Sequence, residues 1–225
     1  MSQGPITRIE GLPEAMVLLT GLGQSVGPTS WIAGLEVRLR GADGPQVRTV
    51  IEHDGFGRET LDAALLIKRA SAQIDVLVHA IGILNALHYI LEPGEVVESL
   101  SLGAGNTGRA HDLETDRRIA EFKFIEWRGG PESIRQDGVF KDLFNLVSNP
   151  TAKRRILYLV GTKHPMRFLQ NNRALSSVLK DAPTAARFRQ MYGERFQTVG
   201  QYYATVRDQV EIVDLVGLVP GLRAG

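Results

Sequence analysis

The chain has 225 residues, a net charge of +1 and no cysteine. That length allows one domain with an appendage and a sizeable core. The balanced charge excludes a global polycation, so any nucleic-acid surface must be local. The missing cysteine excludes disulfides, thiolate-bound zinc and a thiol nucleophile, and fits the reducing cytoplasm.

The first residues, MSQGPITRIEG, show no basic stretch followed by an apolar one, so no secretory signal is expected there. Residues 1–58 read as a strand-rich segment. Ala15–Thr20, Trp31–Leu39 and Gln46–Ile51 are strand-like runs between glycines, and Leu35, Val37 and Leu39 alternate with Glu36, Arg38 and Arg40. GLGQSVG lacks the spacing and the Lys-Ser/Thr ending of a phosphate loop. His53-Asp54-Gly55 reads as a turn.

From Thr60, a plausible N-cap, the pattern turns helical, with a restart expected at Ser71. Ile74, Leu77, Ile81, Leu84, Leu87 and Leu91 recur at helical spacing until Pro93-Gly94. The apolar run from Val76 to Leu91 is short for a bilayer span of about 20 residues and is broken by His79, Asn85 and His88, so a core helix is expected and no membrane partner. Glu95–Leu102 alternates like a strand. After the loop GAGNTG come two more strands, Arg109–Thr115 and Arg117–Trp127. Pro131 is placed to open the next helix, whose apolar face holds Ile134, Val139, Leu143, Leu146 and Val147. Ile156–Val160 reads as a buried strand. Phe168–Leu179, Pro183–Tyr192 and Phe196–Gln209 read as helices, and Val210–Leu218 as a last strand. The fold class expected is α/β (α+β): a strand-rich segment at 1–58, a core at 59–165 with the order α-β-β-β-α-β, and a mainly helical extension at 166–225 packed on the core.

The stretch Gly103–Trp127 carries the chemistry. Glu121 and Lys123 are two apart on a strand and share a face, with Phe122 and Phe124 turned to the other. Asp112 and Glu114 share a face on the preceding strand. Carboxylates from two strands can hold Mg²⁺ through oxygen, and a lysine beside the metal can orient water and offset charge on a phosphate. Blander readings stand beside this one. Asp112 and Glu114 could pair with Arg117 and Arg118, Glu121 and Lys123 could form an exposed edge strand, and His79 could be a core histidine. Lys153-Arg154-Arg155 and Arg187, Arg189 and Arg195 are local basic clusters of the kind that meet phosphates or simply coat helices.

On Asp112, Glu121-Phe122-Lys123 and the element order over residues 71–161, the sequence resembles the PD-(D/E)xK nuclease superfamily, which has the restriction-endonuclease-like fold. The resemblance covers about ninety residues. It implies a Mg²⁺- or Mn²⁺-dependent nuclease acting on nucleic acid, with DNA the default substrate and prokaryotic defence or repair the setting. It implies that Asp112 and Glu121 bind metal and that Lys123 positions the attacking water. A third acid would be Glu98 on the first strand, or Glu92. His79 and Gln136 would match the histidine and glutamine of RecB-type exonucleases. His111 stands where the family has proline. Duplex-cutting relatives are often homodimers. A member that has lost cleavage would be a binding module for nucleic acid or protein on the same fold.

Overall fold

The computed structural model describes residues 10–22, 27–55, 57–103, 109–124, 126–127, 132–220 and 222, with the side chains at 28, 29, 72 and 73 excepted. Most of the GAGNTG loop (104–108) and Pro131 lie outside these residues. The chain forms two compact units, Met1–Asp75 and Val76–Gly225.

The first unit is helical, not strand-rich. It contains α1 (Leu12–Gly21), α2 (Pro28–Leu39), α3 (Gly44–His53) and the start of α4 (Arg58–Ile90). Proline in the first turn opens α1, α2 and α3, where its missing N–H costs nothing. Asp43 and Gln46 close a capping box on α3. The alternation at 35–40 misled because it is too short to separate period 2 from period 3.6. Trp31, Leu35 and Leu39 form the less exposed stripe at four-residue spacing, while Val37 is 66% exposed. Gly55 follows α3 at φ +74°, the turn expected there. Thr60 lies inside α4 rather than capping it, and its hydroxyl donates to the Gly55 carbonyl. No break occurs at Ser71: α4 is one helix of 33 residues. Among the described residues it is the one helix long and apolar enough to cross a membrane.

The second unit is a mixed α/β fold around a five-stranded sheet of order β1-β2-β3-β4-β5. The strands are β1 (Val97–Leu100), β2 (Leu113–Thr115), β3 (Arg118–Lys123), β4 (Arg154–Leu159) and β5 (Glu211–Asp214). The first three are antiparallel neighbours, and β3–β4 and β4–β5 are parallel. A parallel neighbour needs a crossover, supplied by α5 (Ser133–Ser148) between β3 and β4. Between β4 and β5 run α6 (Lys163–Leu169), α7 (Ala182–Tyr192) and α8 (Val199–Val206). From α4 to β4 the observed order is α-β-β-β-α-β.

Being central, β3 is buried on both faces, and its side chains divide between two apolar clusters. Ala120 and Phe122 join Ile83, Ala86 and Ile90 of α4, with Leu113 and Tyr158. Ile119 joins Leu143 and Phe144 of α5, Leu157 of β4, and Phe188 and Tyr202 of α7 and α8. Phe122 is fully buried and stacks on Tyr158, ring centres 4.8 Å apart. Burying such a side chain contributes about 1.5–3 kcal/mol. On α5 the apolar face omits Ile134, which is 86% exposed.

Candidate functional site

Side-chain alternation along β3 puts Glu121 and Lys123 on the face of Ile119, the face that α5 covers. The β2–β3 ladder pairs Leu113 with Ala120 and Glu114 with Ile119, and Asp112 stands one residue before β2 begins. Its backbone carbonyl accepts from Ser101 N at 2.8 Å. Its Oδ2 accepts from Phe122 N at 2.9 Å, and its Oδ1 lies 3.3 Å from Nε2 of His79 on α4. The carboxylate therefore takes up an N–H of β3 just where the ladder with β2 stops.

Glu121 is 7% exposed, and Asp112, anchored on the amide of the next residue Phe122, lies close enough for its charge to act on the Glu121 carboxyl. Burial, then the charges of Asp142 and Asp112, push the Glu121 carboxyl up to about 10, with Lys123 opposing. Nδ1 of His111 lies 3.0 Å from Glu121 Oε1, and its Nε2 lies 2.7 Å from Asn149 Nδ2. An amide NH₂ can only donate, so Nε2 accepts and this network assigns the ring proton to Nδ1, facing Glu121. Burial lowers the His111 pKa and keeps the ring neutral.

Lys123 Nζ reaches Asp142 Oδ2 of α5 at 2.6 Å. Burial disfavours the ammonium, but Asp142, with Asp112 and Glu121, outweighs it and raises the Lys123 pKa. For Asp142 burial works upward and Lys123 downward. At 2.6 Å the two form an ion pair. The lysine stem runs beside Gly138, where a Cβ would lie 3.8 Å from Lys123 Cε.

Asp112, Glu121 and Lys123 thus come together, joined by His79, His111 and Asp142. Glu98 is engaged elsewhere. It is the extra residue of a bulge between Val97 and Ser99, and its carboxylate pairs with Lys153 at 2.5 Å, which also holds Glu114 at 2.9 Å. Glu92 pairs with Arg117 and Arg154. Gln136 is buried in α5, and its Oε1 accepts no hydrogen bond among the described residues. Arg118 is spent on Glu95 and the Tyr158 hydroxyl, so neither it nor Arg117 neutralises Asp112. The basic run at 153–155 is also structural: Arg155 donates to the carbonyls of Leu146, Asn149 and Thr151.

Sequence reasoning missed Asp142, His111 and Asn149. Asp142 carried a readable signal, since it falls three residues after Val139 and four before Leu146, within the apolar stripe of α5. His111 and Asn149, 38 apart in sequence, meet only through the fold.

Among the described residues no group of three or more His, Cys, Asp and Glu side chains gathers as a metal cage. The neighbouring carboxyls of Asp112 and Glu121 still fit a hard divalent cation. They are all-oxygen donors, Glu121 holds a proton that a cation would displace, and Mg²⁺ is commonly held by only one or two carboxylates together with substrate phosphate. No family model, curated protein or solved structure matches this chain.

Proposed function

We propose that this protein is a Mg²⁺- or Mn²⁺-dependent nuclease of the PD-(D/E)xK type, with a restriction-endonuclease-like core from α4 to β4, hydrolysing phosphodiester bonds of nucleic acid and of DNA by default. The observation that carries this reading is the Asp112 carboxylate, just before β2, anchored 2.9 Å from the Phe122 amide beside Glu121 of β3, with Lys123 two residues on along the face of Glu121. Asp112 and Glu121 would hold the ion. When bound, it would acidify a water and polarise the phosphoryl oxygen. Lys123 orients that water and offsets negative charge growing on the phosphate. His111 fixes the Glu121 carboxylate through its Nδ1–H, and His79 and the Phe122 amide fix Asp112. A duplex has two strands to cut, which suits a homodimer, and the cysteine-free chain suits the cytoplasm.

The test is cleavage of plasmid and of single-stranded DNA with Mn²⁺. Asp112→Asn and Lys123→Ala each abolish it while circular dichroism stays native, and unchanged cleavage in both overturns the assignment. A second reading, a binding module without cleavage, is favoured by Glu98 being tied to Lys153. Under it, Mn²⁺ leaves the melting temperature unmoved.

A further inference from the structure

We propose that the pocket beside His111 is a phosphate site, built by Asn145 and Arg187, which takes the phosphate flanking the scissile bond. The pocket has a volume of about 350 Å³, and Ser148, Asn149 and Pro150 complete its wall. Among the described residues no carboxylate lines it. Two of its polar groups are already committed: the Ser148 hydroxyl donates to the Phe144 carbonyl at 2.5 Å, and the Asn149 amide to His111. The Asn145 amide and the Arg187 guanidinium have no hydrogen-bond or ion-pair partner among the described residues. The Arg187 guanidinium carbon lies over the Phe144 ring, 4.8 Å from its centre, which packs the side chain there without using its N–H groups. A wall with amide and guanidinium donors and no carboxylate, ending in a flat guanidinium fork, matches a phosphate group. The position ties it to the reaction centre, because the same His111 that lines the pocket touches Glu121 through its other nitrogen. The basic residues at 153–155 are held by carboxylates and carbonyls, so they do not compete for this role.

That the phosphate belongs to a strand being cut rests on the nuclease reading; the anion site does not. The experiment is fluorescence anisotropy of a labelled thymidine hexanucleotide with the full-length protein in EDTA, repeated with inorganic phosphate as competitor. Arg187→Ala weakens binding by about tenfold or more, as loss of a charge-assisted contact requires, and Asn145→Asp by at least as much. The salt dependence of Arg187→Ala falls by about 0.7 in slope, one phosphate contact's worth for a single strand. Arg189→Ala removes the same charge from the same helix outside the pocket and changes affinity by less than about twofold. Inorganic phosphate competes with wild type and not with Arg187→Ala. Equal losses in the two arginine variants, or none in either, overturn the proposal. Arginine-specific binding in a protein that cleaves nothing with Mn²⁺ leaves the pocket standing and removes the nuclease. Asp112-dependent cleavage with binding indifferent to Arg187 does the reverse. Melting curves of each variant exclude misfolding.

Discussion

Lys123 on β3 and Asp142 on α5 form an ion pair at 2.6 Å, so the lysine expected to handle water is held from the helix rather than from the sheet. Asp142→Asn keeps the side-chain volume and removes the anchor. Lys123 is partly exposed, so the stability cost is about 1–2 kcal/mol rather than that of a dry pair. Cleavage slows by about tenfold to a hundredfold through lost positioning. Without Asp142 the ammonium loses the group that holds its pKa up, so the alkaline limb of the pH–rate profile moves to lower pH. A rate loss with an unmoved limb would show Asp142 to be structural only.

Asp112 has two separable duties. Its Oδ2 satisfies Phe122 N and its charge serves the site. Asp112→Asn retains a carbonyl for that N–H, and Asp112→Ala leaves it without its partner. Both variants lose Mn²⁺-dependent activity, but the alanine variant is less stable than the asparagine variant by about 1–2 kcal/mol in urea unfolding. Equal stabilities would mean that water replaces the carboxylate without cost.

Glu121 sets a pH dependence whose sign is fixed by its raised pKa. The native state holds a proton that the unfolded chain releases near 4.5, so metal-free stability falls as pH rises from there toward about 10. Glu121→Gln, an uncharged mimic of the protonated form, flattens that decline. Mn²⁺ at neutral pH releases a proton and raises the melting temperature of wild type, not of the variant. Melting scans across pH 5–9, with and without Mn²⁺, check all three statements.

A second titration involves the first residue of β3, Arg118, and its partner Glu95. Burial acts to raise the Glu95 pKa, but hydrogen bonds from Arg118, the Glu92 amide and the Thr115 hydroxyl bring it down to about 2. This contribution to stability is complete above 4.5 and is lost as pH falls through 2. Glu95→Gln removes the main anion from Arg118 but leaves it the Glu92 carboxylate at 3.5 Å and the Tyr158 hydroxyl, so it costs about 1.5–3 kcal/mol at neutral pH, measured by urea unfolding, with metal affinity per folded molecule unchanged.

The second unit was legible because its signals agree with one another. Pro93-Gly94 ends α4, α5 and α7 fall close to their expected positions, and IAEFKF alternates cleanly enough to place Glu121 opposite Phe122. The first unit was not, because short runs rich in Val, Leu and Gly satisfy both periods, and the proline at each helix start went unread. At the site, Asp112, Glu121 and Lys123 could be named from spacing. Glu98 could not be placed, because a bulge shifts the register of β1 and no residue type announces it. Asp142, His111 and Asn149 act across separations of 19, 10 and 38 residues, which only packing decides.

The pairing of Leu113 with Ala120 has a consequence for assembly of the chain. Sliding β3 by one residue against its neighbours would swing Glu121 and Lys123 into the aromatic layer around Phe122 and Tyr158, and lift Phe122 toward the carboxylates. An unpaired ammonium and an unsatisfied carboxyl among stacked rings would make that arrangement far less stable than the native one. The polar group intended for chemistry thus also acts as a proofreading mark, letting the sheet close in one alignment and penalising the next.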